Sequence, residues 1–203
     1  MRVTAIIGSY RKGGIIDKAT DEILASAKAA GAKVSKIYLA DKEIGFCTNC
    51  RSCTQQEGPS RGKCIITDDM GPILDLIEQS DAIVLASPMN FGTVTALMKR
   101  FIERLVCYAY WPWGMKAPRP RKRRKDKVAV VVSSSAAPAF ISRLMTQIVH
   151  LLKKTATILG ARTIGVLFIG LAAGAQQQDM GKRARQKAHR MGKRLASAAS
   201  LRR

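Results

Sequence analysis

The chain has 203 residues, 47% of them hydrophobic, which suits one domain with a sizeable core. Its longest apolar run, 13 residues from Thr163, falls short of the roughly 18–20 that a membrane-spanning helix needs. The formal charge of +21 is unevenly placed: Lys116–Lys127 carries eight Lys/Arg and one Asp, and Lys182–Arg203 carries nine Lys/Arg and no acid, so the body is only mildly basic. Two basic segments on an ordinary body point to an anionic partner and say nothing about fold. The short apolar stretch at the N-terminus runs straight into "SYRKGG", which is not a secretory pattern. The expected location is the cytoplasm, where free thiols persist and disulfides are rare.

In chain order, "RVTAIIGS" is an apolar run that predicts a strand buried on both faces. A helical pattern follows from Ile16 to Ala30, stopped by Gly31. "KVSKIYL" is a second strand. "DDMGPILDLIEQS" starts a helix, with acids before its first turn and Pro72 where proline is tolerated. "DAIVLAS" is a third strand, followed by a helix over "VTALMKRFIERLVCYAY". Its expected core positions are Ala96, Met98, Phe101, Ile102 and Leu105. "KVAVVVSSS" is a fourth strand, "FISRLMTQIVHLLKKTATILG" one long helix, and "RTIGVLFIG" a fifth strand. A basic helix closes the chain. Strand–helix alternation of this kind predicts a parallel sheet with helices on both faces. Ligands of such folds bind in the loops after the strands.

Three loops carry candidate chemistry. Gly8–Gly14, "GSYRKGG", sits between a strand and a helix, where glycines, a hydroxyl and Arg11 suit an anion. It is neither the dinucleotide fingerprint nor a Walker loop, and a plain glycine-rich turn is the competing reading. Cys47, Cys50 and Cys53 form a C-x2-C-x2-C run, with Cys64 after ten intervening residues. Such a run presents three ligands to a [4Fe–4S] cluster, and Cys64 would be the fourth. Zinc is disfavoured by the crowding and by the distance of His150 and His189 in sequence. A cysteine loop that binds nothing is the remaining reading. Cys107 reads as a small buried hydrophobe.

The third loop is "SPMNFGTVTALMKRFIER", Ser87 to Arg104. It resembles the ring-binding loop of the flavodoxin-like NAD(P)H-dependent FMN reductases and their iron–sulfur flavoprotein relatives. The matching residues are Ser87, Pro88, Phe91, Gly92, Val94, Thr95, Ala96, Lys99, Phe101, Ile102 and Arg104. The first loop resembles the family's "GSPRKGGNTD", and the cysteine loop with "GKCIITDDM" resembles its cysteine motif. The resemblance covers about the first half of the chain.

It implies a flavodoxin-like, doubly wound, five-stranded parallel sheet in the order 2-1-3-4-5. FMN would lie at its carboxyl edge, with NAD(P)H as cosubstrate. Ser9, Arg11, Gly13, Gly14, Ile15 and Ile16 would surround the phosphate. Pro88, Met89, Asn90, Phe91 and Gly92 would follow the isoalloxazine edge. Ser133 and Ser134 would form a third wall, unless these serines cap the next helix. Two departures stand out. Ile15-Ile16 replaces Asn-Thr, which removes a hydroxyl from the phosphate site, and Asn90 replaces an aromatic residue. Trp111 or Trp113 of another subunit could replace that aromatic.

The domain expected is residues 1–181, with a basic loop at 111–127, followed by a basic C-terminal helix or tail at 182–203. The activity implied is hydride transfer from NAD(P)H through FMN to a small acceptor such as flavin or a quinone, in a homodimer or tetramer. Two alternatives stay open: an iron–sulfur flavoprotein trading single electrons with a protein donor, and a cofactor-free scaffold that binds nucleic acid or an anionic membrane. Of these two partners, tryptophans beside basic residues favour a peripheral site at the inner face of the membrane.

Overall fold

A computed structural model describes residues 1–121, 125–174 and 178–200, side chains 199 and 200 excepted. The centre of the basic loop, the last three residues and the side chain of Ala199 therefore lie outside the described residues.

The chain runs β1 (Arg2–Ile7), α1 (Ile15–Ala29), β2 (Lys33–Tyr38), α2 (Met70–Glu78), β3 (Ala82–Pro88) and α3 (Ala96–Arg104). It continues through a short antiparallel pair, β4 (Ala109–Tyr110) and β5 (Arg119–Pro120). After these come β6 (Lys127–Ser134), α4 (Ala139–Met145), α5 (Ile148–Ile158), β7 (Ala161–Ile169) and α6 (Lys182–Ser200). The main sheet has five strands in the order β2-β1-β3-β6-β7, all parallel. Counting only these strands gives the expected 2-1-3-4-5. The central strands carry unbroken Val/Ile/Ala runs because both faces are covered.

Two cores flank the sheet. On one side Met98, Phe101, Leu105, Ile148 and Leu152 pack beneath α3 and α5. On the other, Ile16, Ile23 and Ala27 of α1 meet Ala188, Met191 and Leu195 of α6. In α3, Met98 and Phe101 are buried as expected, whereas Ile102 is half-buried and Ala96 is exposed. That helix ends at Arg104, and a 3-10 turn at Leu105–Tyr108 leads into β4.

One expectation is corrected. The long helix after the fourth strand is two helices. Thr146 adopts extended backbone, and its hydroxyl donates to the Ser142 carbonyl at 2.7 Å, ending α4. The segment from Lys182 forms the basic helix α6, which packs on the domain: Ala188 and Leu195 are fully buried, and Gly192 lies against the backbone of α1. A Cβ on Gly192 would stand 2.3 Å from the Ile23 carbonyl oxygen.

Candidate functional site

The carboxyl ends of β1, β3 and β6 open into a cavity of about 240 Å³, lined by Ser9, Arg11, Gly14, Ile15, Ile16, Pro88, Asn90 and Ser134, with Tyr10, Ala172 and Gln178 completing the wall. Eight sequence-expected residues thus meet in one place, although nothing in the sequence signalled Ala172 and Gln178. Gly13, Met89, Phe91, Gly92 and Ser133 do not line it. The volume is below the roughly 300–1,000 Å³ of enclosed ligand pockets, and fits a phosphorylated tail better than a whole ring system. A larger open groove of about 480 Å³ lies between α1 and α6. Its walls are Glu22 of α1 and Lys182, Arg185, Gln186, His189 and Arg190 of α6, remote from the strand ends, so the smaller cavity is the better candidate site.

One wall is the start of α1. The first intrahelical bond runs from Lys18 N–H to Gly14 carbonyl, and Gly14 provides no side-chain cap. The N–H groups of Ile15, Ile16 and Asp17 are the unpaired donors of a helix start. Ser9 Oγ accepts from the Arg11 N–H at 3.2 Å, which folds the loop beneath them. Gly13 has a structural role of its own. Its N–H donates to Asp17 Oδ2 at 2.6 Å, so it is directed into the protein. Its φ of +72° is one that glycine adopts without strain.

The opposite wall follows β3. Met89 N–H donates to the Ser134 carbonyl at 2.8 Å, and Asn90 and Thr93 exchange two backbone bonds. Phe91 (φ 47°) and Gly92 (φ 76°) form the left-handed tip of this tight turn. The Phe91 ring is therefore fully exposed. Thr95 locks the two walls together. Its hydroxyl donates to the Gly8 carbonyl at 2.5 Å and accepts from Met98 N–H at 3.2 Å, while its own N–H donates to Ser87 Oγ. The serines after β6 do not cap α4, whose N-cap is Pro138 with no side-chain bond.

A sequence profile of the NADPH-dependent FMN reductases matches residues 1–175. The chain belongs to the NADPH-dependent FMN reductase family, a family of oxidoreductases. It is 38% identical over 112 residues to an iron–sulfur flavoprotein of Archaeoglobus fulgidus, covering 55% of this chain and 49% of the relative. A second iron–sulfur flavoprotein, from Methanocaldococcus jannaschii, is 36% identical over 51% of each chain. The chain spans about half the length of the curated relatives it matches. Among solved structures, a flavone reductase superposes with a TM-score of 0.68 at 21% identity, over 98% of this chain and 63% of the other. An FMN-dependent NADH-azoreductase from Bacillus anthracis, in complex with FMN, gives 0.65 at 14% identity over 99% of each chain. These structures share the fold.

In this FMN reductase family member the cysteine loop is held by arginines. The Arg51 guanidinium stacks on Trp111 at 3.9 Å and Trp113 at 4.2 Å, and donates to the Trp111 and Pro112 carbonyls. Arg121 donates to the carbonyls of Cys53, Gln56 and Gly58. Gly62 closes the insert by donating to the Cys107 carbonyl at 2.8 Å. Both tryptophans therefore pack on this chain's own loop, which accounts for them without a second subunit.

The "DDM" motif clamps the same region. Asp68 accepts from Gly45 N–H, Met70 N–H and the buried Arg104 guanidinium, which also lies 3.6 Å from Cys64 Sγ. Burial, and then Cys64, Cys47 and Cys50, push the Cys53 thiol up, so the four sulfurs lie within electrostatic reach of one another. Cys50 is exposed and Cys53 buried. Among the described residues, no three Cys, His, Asp or Glu side chains converge as metal ligands. Cys107 is buried, and burial pushes its thiol up to about 12. His150 is exposed, and His189 lies 3.3 Å from Glu22.

Proposed function

We propose that this protein is an FMN-dependent oxidoreductase that takes hydride from NAD(P)H and passes electrons to a small acceptor such as free flavin or a quinone. The observation that carries the reading is a single cavity where an uncapped helix start, Ser9 and Arg11 face the Pro88–Asn90 edge. Unpaired N–H groups at the positive end of α1 suit a phosphate. Arg11 adds a fixed charge, and Ile15 and Ile16 contribute amides but no hydroxyl. Bound FMN supplies the ring that accepts hydride and releases electrons. The chain's part is to anchor the phosphate at α1 and to hold the Pro88–Asn90 edge at a fixed distance from it. The Thr95 bond to Gly8 supports that spacing.

Titration of FMN into apo-protein should quench flavin fluorescence and raise the melting temperature. No response at saturating FMN would overturn the reading and favour the cofactor-free scaffold. Arg11→Ala should weaken FMN binding by roughly ten- to a hundredfold, the worth of a charged hydrogen bond, and by more than Ser134→Ala. A homodimer or tetramer belongs to this reading, and sedimentation velocity tests it. A cluster is not part of this reading, because among the described residues no three side chains are placed as metal ligands. A broad long-wavelength shoulder in the spectrum of protein purified without oxygen would restore that alternative.

A further inference from the structure

Two unusual surfaces meet beside β7. The first is apolar. α4 has seven residues, and Phe140, Leu144 and Met145 on it are 76%, 88% and 78% exposed. The helix is firmly seated: a Cβ on Gly170 would lie 2.2 Å from the Ala139 nitrogen. Leu171 N–H donates to the Ala137 carbonyl, and Ala172 N–H to the Ser135 carbonyl. An ordered element that keeps three large apolar side chains in water marks an interaction site.

The second surface is cationic. On α6, Arg183, Lys187, Arg190 and Arg194 recur at the spacing of one helical stripe, a ridge about 16 Å long. The apolar side of that helix is already packed on α1, so its outward face is polar and mostly basic. None of the four has an acidic partner among the described residues, whereas neighbouring Arg185 pairs with Asp179. Arg143 of α4 extends the ridge toward the apolar patch. Burial, Arg143 and Arg190 together hold the Lys187 ammonium below the usual lysine range.

We propose that α4 and the α6 ridge form one docking face for an anionic lipid surface. Phe140, Leu144 and Met145 enter the headgroup region, and Arg143, Lys187 and Arg190 meet lipid phosphates. Charge complementarity selects this occupant. A second copy of a chain with net charge +21 brings its own cations to the ridge. A nucleic acid satisfies the ridge and leaves the apolar residues uncovered. An anionic bilayer answers both halves, since apolar insertion and cation attraction add at such surfaces. The tryptophan pair packs on Arg51 of the cysteine loop and takes no part. The proposal is independent of the cofactor reading, so either can fail alone.

The test is co-sedimentation with phosphatidylcholine vesicles containing phosphatidylglycerol, against phosphatidylcholine alone, at low and high salt. Binding to the anionic vesicles only, lost at high salt, is expected. The pair Lys187→Glu/Arg190→Glu and the single Leu144→Asp should each weaken it by at least about tenfold, on the scale of one cation contact per Lys or Arg. Trp113→Ala should leave it unchanged. Arg190, Leu144 and Trp113 are exposed and Lys187 is half-buried, and unchanged circular-dichroism melts confirm folding. Equal sedimentation with both vesicles, or lipid binding unaffected by Leu144→Asp, overturns the proposal. So does tighter binding to duplex DNA than to anionic vesicles at matched salt. Conversion of an oligomer to a monomer by Leu144→Asp assigns the patch to a second copy and overturns it as well.

Discussion

Asp17 holds Gly13 by the glycine's N–H, at 2.6 Å, and this one bond sets the shape of the first loop. The same carboxylate accepts from the Tyr38 hydroxyl at 2.9 Å and pairs with Lys36. Burial pushes Asp17 up, but the Lys36 ammonium, the Gly13 N–H and the Tyr38 hydroxyl more than offset it and hold the carboxyl below the usual range. Asp17→Ala should cost about 3 kcal/mol, the low end for breaking a buried pair, because Lys36 keeps Asp21 as a partner. A folded-state value below the unfolded one stabilises above the ordinary carboxylate range, and the benefit is lost as pH falls through the folded value. Urea melts of wild type should therefore lose more stability on acidification than those of Asp17→Asn. Parallel losses would refute the assignment.

Arg104 and Asp68 form a second buried pair, with Nη1 to Oδ2 at 2.5 Å and side-chain exposures of 2% and 10%. It joins the end of α3 to the segment before α2 and to Gly45. Arg104→Ala should cost about 3–5 kcal/mol, since it leaves a carboxylate buried and unpaired. Denaturant melts give the number, and a loss under 1 kcal/mol would show the pair to be solvated, as surface pairs are.

Gly192 allows α6 to touch α1. Gly192→Ala should destabilise by about 1–3 kcal/mol, because the methyl would overlap the Ile23 carbonyl and Ser26 Cβ. Deletion of 182–203 should go further and expose Ile23 and Ala27, giving loss of cooperative melting in calorimetry. A truncated chain that melts like the full one would restore the reading of this segment as a tail.

Thiol labelling should be ordered. Cys50 is exposed, and hydrogen bonds to Ser52 hold its thiol below the usual range, so it is the first to react at neutral pH. Cys107 should react only on unfolding. Cys50→Ser should remove the fast phase and leave FMN binding intact, because the cavity wall includes no cysteine. Loss of FMN in that variant would tie the two loops together.

The sequence was readable where one physical cause acts alone. Apolar runs such as "AIVLAS" can only be doubly covered strands, and so the sheet and its loops followed. Thr146 was missed because the apolar positions continue on both sides of it. They face water in α4 and the core in α5, a difference that periodicity does not carry. The packing of the C-terminal helix was not legible, because it uses Ala188 and Gly192, whose small size lets backbones approach but adds little hydrophobicity beside nine cations. Gly13 looked like a phosphate donor by position. Only the three-dimensional approach of Asp17 reveals that its N–H is taken.

Arg51 between the two indoles gives the protein a built-in optical gauge. Trp111 and Trp113 are the chain's only tryptophans, and both rings touch one guanidinium rooted between Cys50 and Cys53. Whatever rearranges those thiols, whether oxidation, alkylation or a metal, must pull on Arg51 and alter indole emission. The state of the cysteine loop can thus be followed by intrinsic fluorescence in the unlabelled protein, in real time, without reference to flavin at all.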